Sequence, residues 1–187
     1  MISKHKLGYD KNYLEKLAQE IDYNITLDER ANLEGGPERP RIQSNVVIHN
    51  GLIKEVSNKV IDIIIKEKYD GEDFPYTLRN WVFIIDEKSP EGEDFHNHTR
   101  MQDLRTKGDW TFTYYVTMPN NLQKDDGYIY FKAKDYNKAI LPKEDELLIF
   151  PADLMHLPKI SPGSKIDRRV IAGTISKVKY KSNKTLM

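Results

Sequence analysis

Three histidines constrain this chain more than any other feature. His96-Asn97-His98 sets two imidazoles two residues apart, and a third, His156, closes the run Phe150-Pro151-Ala152-Asp153-Leu154-Met155-His156. On an extended strand, residues two apart project from one face. A distant strand that carries His156 to the same place therefore gathers three imidazoles around one point, the outline of a metal site. Such a chain must fold strands far apart in sequence against each other. Arg168-Arg169 follows. An arginine there stays charged at any physiological pH and suits a carboxylate held beside the metal.

Composition narrows the chemistry. The 187 residues fit one domain with a sizeable core. The 29 basic and 29 acidic residues cancel, so no global field attracts nucleic acid or an anionic membrane, and a nucleic-acid partner is unsupported. Without cysteine, disulfides, thiolate ligands and cysteine nucleophiles fall away, and a metal must be held by nitrogen and oxygen. No apolar run reaches the ~18 residues of a membrane span. Met1-Ile2-Ser3-Lys4-His5-Lys6 lacks the apolar centre of a signal peptide. The expectation is a soluble cytoplasmic protein with no membrane partner.

The pattern runs from helical to β. Tyr13, Leu14, Leu17 and Ile21 recur at helical spacing after Asp10. Residues Leu27 to Pro40, with Gly35-Gly36-Pro37, read as loop. Leu52, Val56, Val60, Ile63 and Ile64 mark an amphipathic helix that ends at Asp70-Gly71. Strand-prone runs follow at Tyr76 to Asp86, Phe95 to His98, Trp110 to Met118, Tyr128 to Ala133, Leu147 to Phe150, His156 to Ile160 and Arg168 to Val178. Short strands that come after helices, rather than alternating with them, predict a mainly β (α+β) fold, a jelly-roll sandwich buttressed by N-terminal helices. One domain over 1–187 is expected: a mainly helical support region at 1–75, a jelly-roll catalytic core at 76–178 and a basic tail at 179–187.

From about Trp81 to Ser176, roughly half the chain, the sequence resembles the Fe(II)/2-oxoglutarate-dependent dioxygenases, in particular their short prolyl-hydroxylase-like branch of phage and marine microbes. The resemblance is carried, in order, by His96-Asn97-His98, Tyr114-Tyr115-Val116, Gly127-Tyr128-Ile129-Tyr130-Phe131, Phe150 to His156, and Arg168 to Thr174. Phe-Pro-x-x-x-x-His with its arginine is the specific part, whereas His-x-His alone is weak. The resemblance implies the double-stranded β-helix form of the jelly roll. It also implies Fe(II) as cofactor, 2-oxoglutarate and O2 as co-substrates, ascorbate as accessory reductant, and hydroxylation of a polar substrate such as a prolyl or other peptide side chain. A phage origin would place that activity in the host cytoplasm.

The site follows from motif and resemblance together. His96, His98 and His156 are the expected metal ligands. The family's usual set is two imidazoles and one carboxylate, so His98 is a departure; Asp94, of matching strand parity, and Asp103, within loop reach, are the alternative carboxylates. Alternation favours Arg168 over Arg169 as the co-substrate clamp, because Arg168, Val170, Ala172 and Thr174 form the smaller, more polar row. In the resembled enzymes the second tyrosine of the Tyr-Tyr strand binds the same distal carboxylate, which points to Tyr115.

Blander readings stand beside these. His156 as a core histidine bonded to a carbonyl, Arg168 as a strand-end ion pair, and Tyr114-Tyr115 and Trp81 as packing each explain one residue but not their joint order. His5 and His49 have no partner at ligand spacing. Two further functions remain: a three-histidine, cupin-like iron dioxygenase that needs no 2-oxo acid, and a catalytically silent jelly roll that binds peptide. The loops Leu27 to Arg41, Asp86 to Asp94 and Thr99 to Asp109, with Arg100 and Arg105, are polar and suggest a large or polar substrate.

Overall fold

Asp10 starts the first helix. Its carboxylate accepts the Tyr13 N–H at 2.8 Å, an N-cap that satisfies a donor left over at the helix start. Helix α1 (Lys11–Leu27) follows strand β1 (Ser3–Lys6), and the remaining elements are β2 (Ile42–Ser44), α2 (Gly51–Lys68), β3 (Tyr76–Ile85), β4 (Trp110–Thr117), β5 (Ile129–Ala133), β6 (Tyr136–Ile140), β7 (Glu146–Pro151), β8 (Met155–Pro158) and β9 (Arg168–Lys177). This computed structural model describes residues 1–27, 42–44, 51–85, 95–98, 109–119, 122, 126–159 and 168–178. No helix among the described residues is long and apolar enough to cross a membrane.

The strands form two antiparallel sheets. The major sheet runs β1-β7-β4-β9-β3-β2 and the minor sheet β6-β5-β8. After β3 the chain passes to the minor side at His96, which pairs with His156 of β8. It returns for β4, crosses again for β5 and β6, and repeats the exchange with β7, β8 and β9. That shuttling between facing sheets is the jelly roll, in its double-stranded β-helix form.

Period-two alternation decides which face each side chain covers. On one face of the major sheet Val82, Phe112, Tyr114, Leu147, Ile149, Ile171 and Ile175 pack under the helices, against Leu14, Leu17 and Ile21 of α1 and Ile53, Val56, Val60 and Ile64 of α2. The other face sends Trp81, Phe83, Tyr115, Leu148, Phe150, Val170 and Ala172 against Ile129, Phe131 and Ile140 of the minor sheet. Tyr114 and Tyr115, adjacent in sequence, thus belong to different cores. The α2 stripe is centred one position away from the sequence reading: Ile53 is fully buried, whereas Leu52 and Ile63 pack at its margin.

The helices are tied together by Glu20. From α1 its carboxylate accepts the Leu52 and Ile53 N–H groups at 2.8 and 3.0 Å, capping the start of α2 with a negative charge where the helix dipole favours one. Gly51 sits beside it with φ of 88°, and a Cβ there would overlap the Glu20 carboxylate.

Several expectations differ from what is observed. Phe95 to His98 is not a strand: only His96 pairs in β fashion, and the backbone bends at His98. Strands β1, β2 and β6 were not expected, and two of them, from the first 75 residues, extend the major sheet at its edges. The expected loops at Leu27 to Arg41, Asp86 to Asp94 and Thr99 to Asp109 lie almost wholly outside the described residues, as do the tail, His49, Arg100 and Arg105. His5 pairs with Glu67 at 3.0 Å across to α2.

Candidate metal centre

His96 and His156 exchange both backbone hydrogen bonds, His96 N–H to the His156 carbonyl at 3.0 Å and the reverse at 2.8 Å. This adds His96 to the edge of the minor sheet beside β8. His98 is placed by a different contact, its N–H donating to the Ala152 carbonyl at 2.9 Å, just past the end of β7. The Phe150-to-His156 motif thus anchors the His-Asn-His segment at two points. Between them the Asn97 amide donates to the Met155 sulfur at 3.3 Å.

The three rings converge. Centroid separations are 4.4 Å for His96 and His156, 5.0 Å for His98 and His156, and 5.5 Å for His96 and His98. Each offers one ring nitrogen, and the three nitrogens lie within 4.8 Å of one another. His156 is 4 % exposed. Its Nδ1 lies 3.0 Å from the Leu154 carbonyl. A carbonyl only accepts, so Nδ1 carries the hydrogen and Nε2 presents its lone pair, the arrangement common in metal-bound histidine. The donor set fits a divalent transition metal that prefers imidazole. Among the described residues no carboxylate belongs to the cluster; Asp94 and Asp103 lie outside them.

Aromatic side chains wall the centre. The Trp81 ring lies 5.2 Å from that of His98, and Phe150 lies 4.9 Å and Phe131 6.3 Å from His156. Trp81 does more than the packing its sequence context predicts. Its role was encoded in the β3–β9 register, which sets Trp81 beside Ala172 and Phe83 beside Val170 on the inter-sheet face.

The two arginines point apart. Arg169 reaches α1, its Nε and Nη2 donating to the Asp22 carboxylate at 2.7 and 2.9 Å. Arg168 is 1 % exposed, and its Nη1 donates to the Gly127 carbonyl at 3.2 Å. Gly127 holds φ of 74°, a conformation costly for any residue with a Cβ. The Arg168 guanidinium carbon lies 5.9 Å from the centre of the Tyr115 ring. Burial pushes the Tyr115 phenol above its ordinary range, and the Arg168 charge works against that shift. Tyr114 faces the other way, donating its phenol hydrogen to Asp145 at 2.8 Å.

Two facing antiparallel sheets that exchange successive strands define a class, the double-stranded β-helix, and the chain has that fold in the form seen in prolyl hydroxylases. Over 94 % of its length it superposes on 92 % of a prolyl-4-hydroxylase from Pseudomonas putida, at a TM-score of 0.63 and 15 % identity. A viral collagen prolyl hydroxylase from Paramecium bursaria Chlorella virus 1, solved with 2-oxoglutarate, matches 95 % of the chain over 96 % of its own, at 0.60 and 14 %. A Trichoplax adhaerens prolyl hydroxylase, solved with a peptide of hypoxia-inducible factor, matches 94 % over 83 %, at 0.63 and 15 %. Scans by sequence against known families and against curated proteins find no match.

Proposed function

We propose that this chain is an Fe(II)- and 2-oxoglutarate-dependent oxygenase that hydroxylates a polar substrate, with a prolyl or other peptide side chain as the best candidate. The observation that carries this reading is the convergence of His96, His98 and His156 beside the inter-sheet core in which Arg168 is buried near Tyr115. The fold supports it, since similar folds were solved with 2-oxoglutarate and with a peptide.

In this reading His96, His98 and His156 hold the iron, and the iron with 2-oxoglutarate supplies the oxidising chemistry. The protein's own part is positional. Arg168 receives the distal carboxylate of 2-oxoglutarate as a charge-assisted partner, and the Tyr115 phenol, kept neutral by burial, donates a hydrogen bond to the same group. The Leu154 carbonyl fixes the His156 tautomer so that Nε2 faces the iron. Trp81, Phe131 and Phe150 exclude water from the inner side, which strengthens each of these polar contacts.

Succinate formation tests the reading. With Fe(II), O2, ascorbate and 2-oxoglutarate the protein is expected to release succinate slowly even without prime substrate. A proline-containing peptide library is expected to accelerate that release and to gain one oxygen on one component. If iron and 2-oxoglutarate both bind yet succinate stays at the iron-free level, the hydroxylase reading is wrong. The three-imidazole set favours a second reading, a cupin-like iron dioxygenase that needs no 2-oxo acid. It predicts oxygen consumption that is indifferent to 2-oxoglutarate and to substitution of Arg168.

A further inference from the structure

We propose that His98, a neutral imidazole, leaves the metal centre one negative charge short, so that metal and anion load this site together and each binds poorly alone. The inference rests on the reading above, in which the anion is 2-oxoglutarate.

A histidine ligates as the neutral imidazole. Three of them leave a divalent ion with its full charge, and among the described residues the cluster supplies no carboxylate. On the inner side the surroundings do little to offset this: His156 is almost wholly buried with Phe150 and Phe131 against it, and the Trp81 ring lies beside His98, while His96 and His98 are half-buried. An uncompensated charge in such a setting is costly. An anion that joins the metal removes that cost. By linkage the anion strengthens metal binding by the same factor as the metal strengthens anion binding. His98 is moreover not a casual neighbour of the set, because its backbone is fixed to Ala152 and its ring lies against Trp81. A carboxylate in its place would cancel one charge and weaken the mutual dependence.

Anaerobic Co(II) titration of the full chain, read by quenching of tryptophan fluorescence, measures the metal Kd, with Trp81 5.2 Å from His98 as the reporter. It is run without added anion, with 2-oxoglutarate and with chloride, on the wild-type chain and on His98→Asp. The expected result is that 2-oxoglutarate tightens Co(II) binding to the wild-type chain by about tenfold or more, and distinctly less in His98→Asp, which binds Co(II) more tightly than wild type when no anion is added. Equal or greater tightening in His98→Asp overturns the proposal and leaves the co-substrate reading standing. Tightening of the wild-type chain by chloride but not by 2-oxoglutarate, with His98→Asp indifferent to both, upholds the charge argument and removes 2-oxoglutarate as the anion. No anion effect in either protein overturns the proposal. Should His98→Asp lose its far-ultraviolet circular dichroism, His98→Glu carries the same comparison.

Discussion

His96 and His156 are joined by their backbones, not their rings: each donates its N–H to the other's carbonyl, at 3.0 and 2.8 Å. Two of the three imidazoles are therefore held in place by bonds that survive loss of either side chain. Replacing His96, His98 or His156 by alanine is expected to abolish stoichiometric Fe(II) binding while leaving the circular dichroism spectrum nearly unchanged. The unfolding midpoint should hold for His96→Ala and His98→Ala and fall for His156→Ala, whose ring is buried against Phe150. Retention of iron by His98→Ala would transfer that ligand position to a carboxylate, with Asp94→Ala the next variant to assay.

The opposite directions taken by Arg168 and Arg169 separate two effects. Arg168→Ala is expected to weaken 2-oxoglutarate binding by about 2 to 4 kcal/mol, the order for one partner of a buried charge pair. Arg169→Ala is expected to leave that affinity alone and to lower stability by about 1 kcal/mol or less, because its ion pair with Asp22 is partly exposed. Calorimetric titration with 2-oxoglutarate and chemical unfolding of both variants provide the check. The reverse pattern would exchange the two roles.

Much of this architecture was legible in residue order, and the rest was hidden for identifiable reasons. Arg168, Val170, Ala172 and Thr174 could be separated from Arg169, Ile171, Gly173 and Ile175 by alternation alone, since β9 is central in its sheet and each face meets a different core. The strands that escaped notice, β1, β2 and β6, all lie at sheet edges. Ser3-Lys4-His5-Lys6 and Tyr136-Asn137-Lys138 carry few apolar residues because an edge strand gains its order from a neighbour's backbone, and lysines there discourage pairing with other molecules. The histidine spacing suggested a strand carrying both His96 and His98. The convergence comes instead from two separate backbone contacts, to His156 and to Ala152, and neither leaves a mark in side-chain periodicity.

Glu20 illustrates a contact between helices that sequence periodicity does not contain. Its carboxylate takes two backbone N–H groups at the start of α2. Glu20→Ala is expected to cost about 1 to 2 kcal/mol, since it removes both a cap and a favourable charge at the helix terminus. Glu20→Gln keeps an acceptor and should lose less. Urea unfolding of the three proteins gives the ordering, and equal midpoints for Glu20→Ala and wild type would show that water replaces the cap without loss.

Phenols that folding withdraws from water are expected to weaken the fold in alkali. Burial raises the pKa of Tyr13, Tyr69, Tyr114 and Tyr115 above the ordinary value of 10.0, with Asp145 adding to the shift at Tyr114 and Asp109 at Tyr69. Above that value these groups stay protonated in the folded chain while the unfolded chain ionises. The unfolded state then binds fewer protons, and stability must fall as pH rises. Below it both states hold the proton, and the contribution is fully present. The unfolding free energy is therefore expected to be flat with respect to these groups up to about pH 9 and to decline steadily beyond about pH 10. Tyr114→Phe isolates one share of the decline: it loses the hydrogen bond to Asp145 at 2.8 Å, which lowers stability at neutral pH, yet its stability should fall less steeply above pH 10 than that of the wild-type chain. Equal slopes for the two proteins in that range would remove Tyr114 as a source of the alkaline loss.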